Sequence, residues 1–596
     1  MNPGALPRDV YTERLAGRQV HLKRLEGQRL RLGNVRLLVF LGVAAACWLA
    51  WQGRVSPWWI LAPLVCFIAL VWQQSRIERA AEFVRRGIRF YESGLARIEN
   101  RWQAADESGE RFLDPHHPYA ADLDIFGRGS LFQLLSTART RGGEAMLANW
   151  LRWPAALDEL RQRHEAVDEL RPLLDLREQL AVLGDDYRTG VHPEHLIAWA
   201  ETPARPFPRW LRLLALALSL VQAFFLVWWF ATQFTGIQPE ICVLVTGMVE
   251  GAVALTLRNR ILASLYSVHA PAHDLDLLSQ ILAVLEQQDF RSPRLAALRD
   301  AIRVKGKPAS SHIARLRRWM ELLDSRDNVF VRIFGPPLLW GTQIAMAVEN
   351  WRAEQGPVVR GWLDAVSEME ALSCLANYAW EHPADPWPVF QEERIFHGEE
   401  LGHPLLADAR CVRNSVALTA PLRLMVVSGS NMSGKSTLLR AVGINAVLAL
   451  AGAPVRAKRL VISRLSVGAS IRTMDSLEEG HSRFMAEILR LKQILELPPP
   501  ALFLLDELLH GTNSHDRAIG AEGLLHGLLE RGAIGIATTH DLSLARVADQ
   551  LIPAAANVHF EDRLENGRLV FDYRMRPGVV ARSNALDLMR AVGLNV

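Results

Sequence analysis

The stretch Leu424-Met425-Val426-Val427-Ser428-Gly429-Ser430-Asn431-Met432-Ser433-Gly434-Lys435-Ser436-Thr437 decides the fold of this chain. Its apolar start predicts a buried strand, two glycines bracket a tight loop, and Lys435 to Leu450 reads as a helix. Strand, glycine loop and helix in that order make a cradle for nucleoside-triphosphate phosphates. The glycines let backbone N–H groups wrap the phosphates, and the helix N-terminus adds partial positive charge there. Lys435 is expected to reach the β- and γ-phosphates and Ser436 to bind Mg2+. The expected ATP-binding set is Gly429, Ser430, Asn431, Met432, Ser433, Gly434, Lys435, Ser436 and Thr437.

Two further apolar runs complete the pattern of a doubly wound α/β domain. Ala501-Leu502-Phe503-Leu504-Leu505 ends in Asp506-Glu507, which puts two carboxylates at the C-terminal end of a strand, where such sheets bind ligands. Asp506 is the expected Mg2+ residue and Glu507 the one that polarises the attacking water. Gly535-Ile536-Ala537-Thr538-Thr539 ends in His540, which can hydrogen-bond the γ-phosphate and sense its loss.

Together these residues resemble the ATPase domain of the MutS family. The resemblance rests on Ser428 to Thr437 with its Asn431-Met432 pair, on the segment Ser470 to Glu487 around Ser482, on Leu505 to Asp516, on Ala537 to Asp541, and on Pro577-Gly578 with Ser583 to Leu594. It implies a composite site in a homodimer, where the signature Ser482 of one subunit reaches the γ-phosphate held by the other. ATP then completes contacts across the interface that ADP cannot make, so hydrolysis releases them.

The N-terminal half departs from that family. Leu37 to Trp51, Trp58 to Trp72, Leu211 to Phe230 and Ile241 to Leu257 are apolar runs, to be set against the about 20 residues that a bilayer-spanning helix needs. Trp48, Trp51, Trp58, Trp59, Trp72, Trp210, Trp228 and Trp229 gather at their ends, as an interfacial belt does. Arginines flank the pairs outside (Arg24, Arg29, Arg31, Arg36; Arg76, Arg79, Arg85, Arg86, Arg89; Arg205, Arg209, Arg212; Arg258, Arg260), whereas the short connectors carry only Arg54. The positive-inside rule then predicts a multi-pass protein of the cytoplasmic membrane with both termini and the ATPase domain in the cytoplasm. Glu250 and Gln222 lie inside the runs, where hydrogen bonding between helices is the expected role.

The expected fold is multi-domain: an α-helical core or lever carrying transmembrane hairpins, and a C-terminal P-loop α/β domain. The segments are a basic N-terminus (1–34), hairpin 1 (35–75), the first part of the lever (76–208), hairpin 2 (209–257), the second part of the lever (258–395) and the ATPase domain (396–596). Asp124 to Leu135 with Thr140 to Gly143 resembles the start of the family's core. Helices are expected from Glu144 to Trp153, from Leu157 to Leu170 and from Gly361 to Ala379.

Several family features are missing. No room is left for the mismatch-reading domain, and no Phe-x-Glu wedge is expected. Leu509-His510 replaces the Gly-Arg that precedes Gly511-Thr512, and Arg483 replaces the Thr after Ser482. Cys411 to Asn414 stands where an aromatic residue usually stacks on adenine. The chain stops at Val596 without the family's dimerisation tail, so pairing is expected through ATPase faces, membrane helices or both.

Composition narrows the output less. A net charge of +3 over 596 residues argues neither for nor against nucleic acid. Five cysteines without CxxC spacing suggest neither a disulfide framework nor a zinc site. His116-His117, between Pro115 and Pro118, is expected in a loop. Three outputs stay open: a repair-related ATPase on mismatched or branched DNA, a scaffold ATPase with protein partners, and an ABC-type transporter. The last is disfavoured because Leu495 to Pro500 replaces an LSGGQ-type signature. The basic stretch Arg303, Lys305, Lys307, Arg315, Arg317 and Arg318 suits phosphate contacts and a solvated helix face equally.

Overall fold

Residues 6–104, 107–183, 193–204, 206–232, 237–266, 272–304, 306–324, 339–430, 432–471, 483–509, 513–540, 542–565 and 568–579 are described by a computed structural model. They fall into two units: 138–144 with 175–371, and the remainder, 1–137, 145–174 and 372–596.

The first of these is helical. Arg209–Ala231 and Ile237–Tyr266 form an antiparallel apolar hairpin, hairpin 2. Ala272–Glu286 packs against Ala309–Asp324, which follows a short antiparallel ribbon of β1 (Arg303–Val304) and β2 (Lys307–Pro308). The long helix Trp340–Glu381 begins in this unit and runs out of it. Glu370 is buried on it and accepts hydrogen bonds from the Arg139 N–H at 3.1 Å, the Thr140 N–H at 3.2 Å and the Thr140 hydroxyl. Burial raises the Glu370 pKa and these donors oppose the shift.

The second unit holds hairpin 1 and the sheets. Pro7–Trp51 and Leu61–Ile98 are single helices that run well past their apolar stretches. At about 1.5 Å per residue, the 45-residue first helix is about twice as long as the ~30 Å hydrocarbon core of a bilayer. The apolar end of each is exposed, while Tyr11, Ala81, Val84, Phe90 and Tyr91 nearer the base are buried. The letters Phe-x-Glu do occur, at Phe90–Glu92 and Phe390–Glu392. However, Phe90 is buried against Tyr11, and the Phe390 ring stacks on His164 at 5.5 Å. All four apolar helices are long and apolar enough to cross a membrane by length and composition.

The C-terminal α/β domain has two sheets. The smaller holds β3 (Val389–Phe390), β4 (Ile395–Leu401), β5 (Asn414–Thr419) and β7 (Arg459–Ile462) in the order β3-β7-β4-β5. The larger contains β6 (Leu424–Ser428), β8 (Ser466–Ser470), β9 (Ala501–Leu505), β10 (Ile534–Thr539), β11 (Ala555–Glu565) and β12 (Arg568–Pro577), ordered β12-β11-β6-β10-β9-β8. All its pairings are parallel except β11 with β12. Every residue of β6, β9 and β10 is buried. Parallel strands covered on both faces need such unbroken apolar runs, which is why these three were readable as strands. The helix Leu157–Leu170 has the bounds expected from its leucine spacing, and the helix Arg141–Arg152 stops two residues before Pro154. His117, in a bend, bonds the Arg152 carbonyl through Nε2 at 3.2 Å.

Candidate active site

Central β6 delivers the phosphate loop. Gly429 follows its last residue, and the helix Lys435–Ala451 starts directly after Gly434. Gly434 has φ +105°, and a Cβ there would stand 3.1 Å from the Tyr573 ring, so position 434 demands glycine. Met432 takes φ +71° and is 84 % exposed, a strained turn residue pointing to solvent. Such strain persists only where the surroundings over-determine it. Asn431 lies outside the described residues.

Lys435 is buried and its ammonium donates to the carbonyls of Gly429 and Ser430, both at 2.8 Å. Burial lowers its pKa, while Glu507, Asp506 and Asp562 push it back up. The buried hydroxyls of Ser430 and Ser433 have no hydrogen-bond partner among the described residues. Orphaned donors on a loop built around an ammonium are what an absent oxyanion would satisfy, so the residues fit a nucleotide's phosphates.

The carboxylates meet this loop from the end of β9, which β10 separates from β6. Asp506 follows β9 and Oδ2 accepts from the Ser436 hydroxyl at 2.5 Å. Its Oδ1 accepts from the Thr538 hydroxyl on β10, and its N–H donates to the Ser470 carbonyl at 2.8 Å. A hydroxyl and one carboxylate fit Mg2+, which keeps several waters and takes phosphate oxygens as ligands. Among the described residues no group of three or more His, Cys, Asp or Glu offers an all-protein metal cage. Glu507 has φ +48° and its N–H donates to Thr538 Oγ1 at 3.2 Å. His540, after β10, places Nδ1 3.4 Å from Glu507 Oε1. The structure thus brings Lys435, Ser436, Asp506, Glu507 and His540 together. Ser482 and the segments 472–482, 510–512 and 580–596 lie outside the described residues.

A cavity of about 1020 Å³ is lined by Met432, Lys435, Ser436 and Thr437, by Asp506 and Glu507, and by Leu401, Leu406, Arg410 and Val412. Its wall carries the aromatic group not found at Cys411 to Asn414: Tyr573, on β12, with φ +54°. Asn414 fixes that strand, donating to the Tyr573 carbonyl at 3.0 Å and accepting from the Met575 N–H at 2.8 Å. Thr538 and Tyr573 were not singled out from the sequence. The alternation of Phe571 and Tyr573, whose rings stack at 5.9 Å, was the available signal for the second. Also on the wall, His403 is held neutral by burial and by Arg440, with its pKa down to about 4.

A phosphate loop on a central parallel strand, with acidic residues at the end of β9, one strand beyond the intervening β10, defines a P-loop nucleotide-binding domain. Residues 425–595 match the family model described as MutS domain V. The chain is 35% identical over 201 residues to a protein named Endonuclease MutS2 from Thermus thermophilus, covering 32% of this chain and 25% of that protein. It is 31% identical over 236 residues to a DNA mismatch repair protein MutS from Shouchella clausii, covering 38% and 27%. A second Endonuclease MutS2, from an Anaeromyxobacter species, is 31% identical over 263 residues, covering 41% and 31%. Over residues 425–595 the chain is thus similar to MutS domain V. The matches span between 25% and 31% of these relatives' own length.

Proposed function

We propose that this chain is a membrane-anchored MutS-like ATPase that works as a nucleotide-switched homodimer in the cytoplasmic membrane. The carrying observation is the one cavity lined by Lys435, the Ser436–Asp506 pair and Glu507, with His540 3.4 Å from Glu507. In this reading the phosphate loop holds ATP, and Ser436 and Asp506 hold Mg2+, which neutralises phosphate charge when bound. Glu507 polarises the attacking water, His540 reads the γ-phosphate, and Ser482 of one subunit completes the partner's site. Four apolar helices long enough to span support the anchor. The segments 1–34, 35–75, 76–208, 209–257, 258–395 and 396–596 are its working divisions. Similarity to a mismatch repair protein and to endonucleases supports a DNA-related output, on mismatched or branched substrates in our reading, with protein partners as the second reading.

The test uses Glu507→Gln. The chain should stay with membranes through alkaline extraction and dissolve only in detergent. The purified variant should bind ATP and dimerise, yet hydrolyse about 100-fold more slowly, the scale of a lost general base. Unchanged hydrolysis would remove Glu507 from its role, and release by alkali would remove the anchor. Salt-dependent binding of the trapped state to homoduplex, mispaired or branched DNA supports the DNA output. Absence of binding at low salt leaves the scaffold reading.

A further inference from the structure

The basic stretch around residue 310 is neither one solvated face nor one continuous ribbon of charge. Arg317 turns to acidic partners, Asp276 and, at 3.5 Å, Glu321. Arg303 donates to the Glu286 carbonyl at 3.3 Å. Lys305 lies outside the described residues. Lys307, Arg315 and Arg318 do something else: all three line one cavity of about 900 Å³ in the helical unit. None of the three has an ion-pair partner among the described residues.

The rest of the cavity offers hydrogen-bonding groups left without partners. His312 and Gln355 are each more than nine-tenths buried and both line it, yet His312 Nδ1 and Gln355 Oε1 bond nothing among the described residues. Burial, Arg315 and Lys307 all lower the His312 pKa, with only Glu354 opposing, so its imidazole is neutral at pH 7. The Trp351 indole N–H anchors the His312 backbone by donating to its carbonyl at 3.0 Å. Ala353 also lines the cavity, and Pro357, four residues on, has no N–H. The Ala353 carbonyl therefore lacks its intrahelical donor. Three cations without ion-pair partners among the described residues, Arg315 also lying over the Trp319 ring at 5.6 Å, thus share the cavity with an unpartnered amide oxygen, a freed carbonyl, a neutral imidazole and one carboxylate, Glu354.

We propose that this cavity binds a nucleotide-sized phosphate ester. Lys307, Arg315 and Arg318 hold the phosphate, and Gln355 Oε1 and the Ala353 carbonyl accept from N–H groups on the rest of the molecule. Its volume suits such a ligand, since pockets of about 300–1,000 Å³ take molecules of that size. The deep, buried acceptors favour a small molecule over a duplex, whose backbone phosphates would meet the exposed guanidiniums and leave Gln355 and His312 unsatisfied.

The experiment uses the full chain in detergent carrying Lys435→Ala, so that the phosphate loop is silent, with calorimetric titration at low salt. The probes are pyrophosphate, AMP and GMP. At least one nucleotide should bind saturably and about tenfold tighter than pyrophosphate, a difference of about 1.4 kcal/mol. Arg315→Glu with Arg318→Glu should abolish binding of all probes. Arg315→Lys with Arg318→Lys should keep most of it, which controls for folding. Gln355→Ala should reduce nucleotide binding to the pyrophosphate level only. Failure of every soluble probe to bind, or binding indifferent to charge reversal, overturns the proposal. Binding confined to phosphatidic-acid vesicles, or confined to duplex DNA, overturns it equally and reassigns the cations to a lipid headgroup or to nucleic acid. Because Lys435→Ala disables the phosphate loop, failure here leaves the Glu507→Gln result untouched.

Discussion

The two apolar hairpins solve the same problem with opposite chemistry. Hairpin 1 carries only apolar side chains along its two apolar runs, where Phe40 meets Phe67 with ring centroids 6.0 Å apart, and its polar device sits at the base. There Arg97 donates to Glu381 through Nε at 2.8 Å and Nη2 at 2.6 Å, and the buried Tyr11 hydroxyl adds a bond at 3.2 Å. Burial opposes the Arg97 charge, but the Glu381 carboxylate outweighs it and raises the pKa. Hairpin 2 carries its polar groups within the apolar segment. The Thr246 hydroxyl donates to Gln222 Oε1, and Ser219, Gln222 and Glu250 are buried. One hairpin is fixed at its root to the end of the long helix Trp340–Glu381; the other is fixed along its own seam. A charge pair suits the first position because a bidentate guanidinium satisfies a buried carboxylate fully. If hairpin 2 spans a membrane as proposed, the Gln222 amide and Thr246 hydroxyl suit it because a neutral bond costs less than a charge to bury in hydrocarbon.

Three substitutions would break or sharpen that contrast. Arg97→Ala leaves Glu381 buried and unpaired and should cost about 3–5 kcal/mol, the range for breaking a buried pair. Thermal unfolding of the detergent-solubilised chain would show it, and Arg97→Met with Glu381→Met should recover most of the loss. Little loss in the single variant would demote the root clamp. Gly94→Val tests the same root by packing. A Cβ there would lie 2.4 Å from the Tyr11 ring, so overpacking of about 1–3 kcal/mol is expected. Gln222→Leu should have the smallest effect, about 0.6 kcal/mol, typical of a hydrogen bond between membrane helices. A loss as large as that of Arg97→Ala would make the seam of hairpin 2 an equal of the clamp.

What could be read in advance was local. The phosphate loop, the strands ending in Asp506 and His540, and the helix Leu157–Leu170 follow from spacing within one element. The apolar ends of both hairpins were likewise visible, since burial or lipid exposure writes itself into a run of residues. The remainder depends on partners far apart in sequence. Arg97 and Glu381 each look like an ordinary surface charge until the fold joins them. Thr538 lies inside a strand whose apolar neighbours explain it without reference to Asp506, and Tyr573 reaches the phosphate loop only because β12 folds back on β11. The basic stretch was visible, but not its division into a paired Arg317 and an unpaired trio.

The self-bonded Lys435 has a consequence for which anions the loop accepts. Two of its three N–H donors are taken by carbonyls of its own loop, so a newcomer finds one donor and must displace bonds to use the others. A single phosphate group gains that one bond and otherwise exchanges like for like. A chain of phosphates that also engages the Ser430 and Ser433 hydroxyls adds bonds the resting loop never had. On the proposed function, the tether therefore sets a threshold that disfavours single phosphate groups relative to a chain of them.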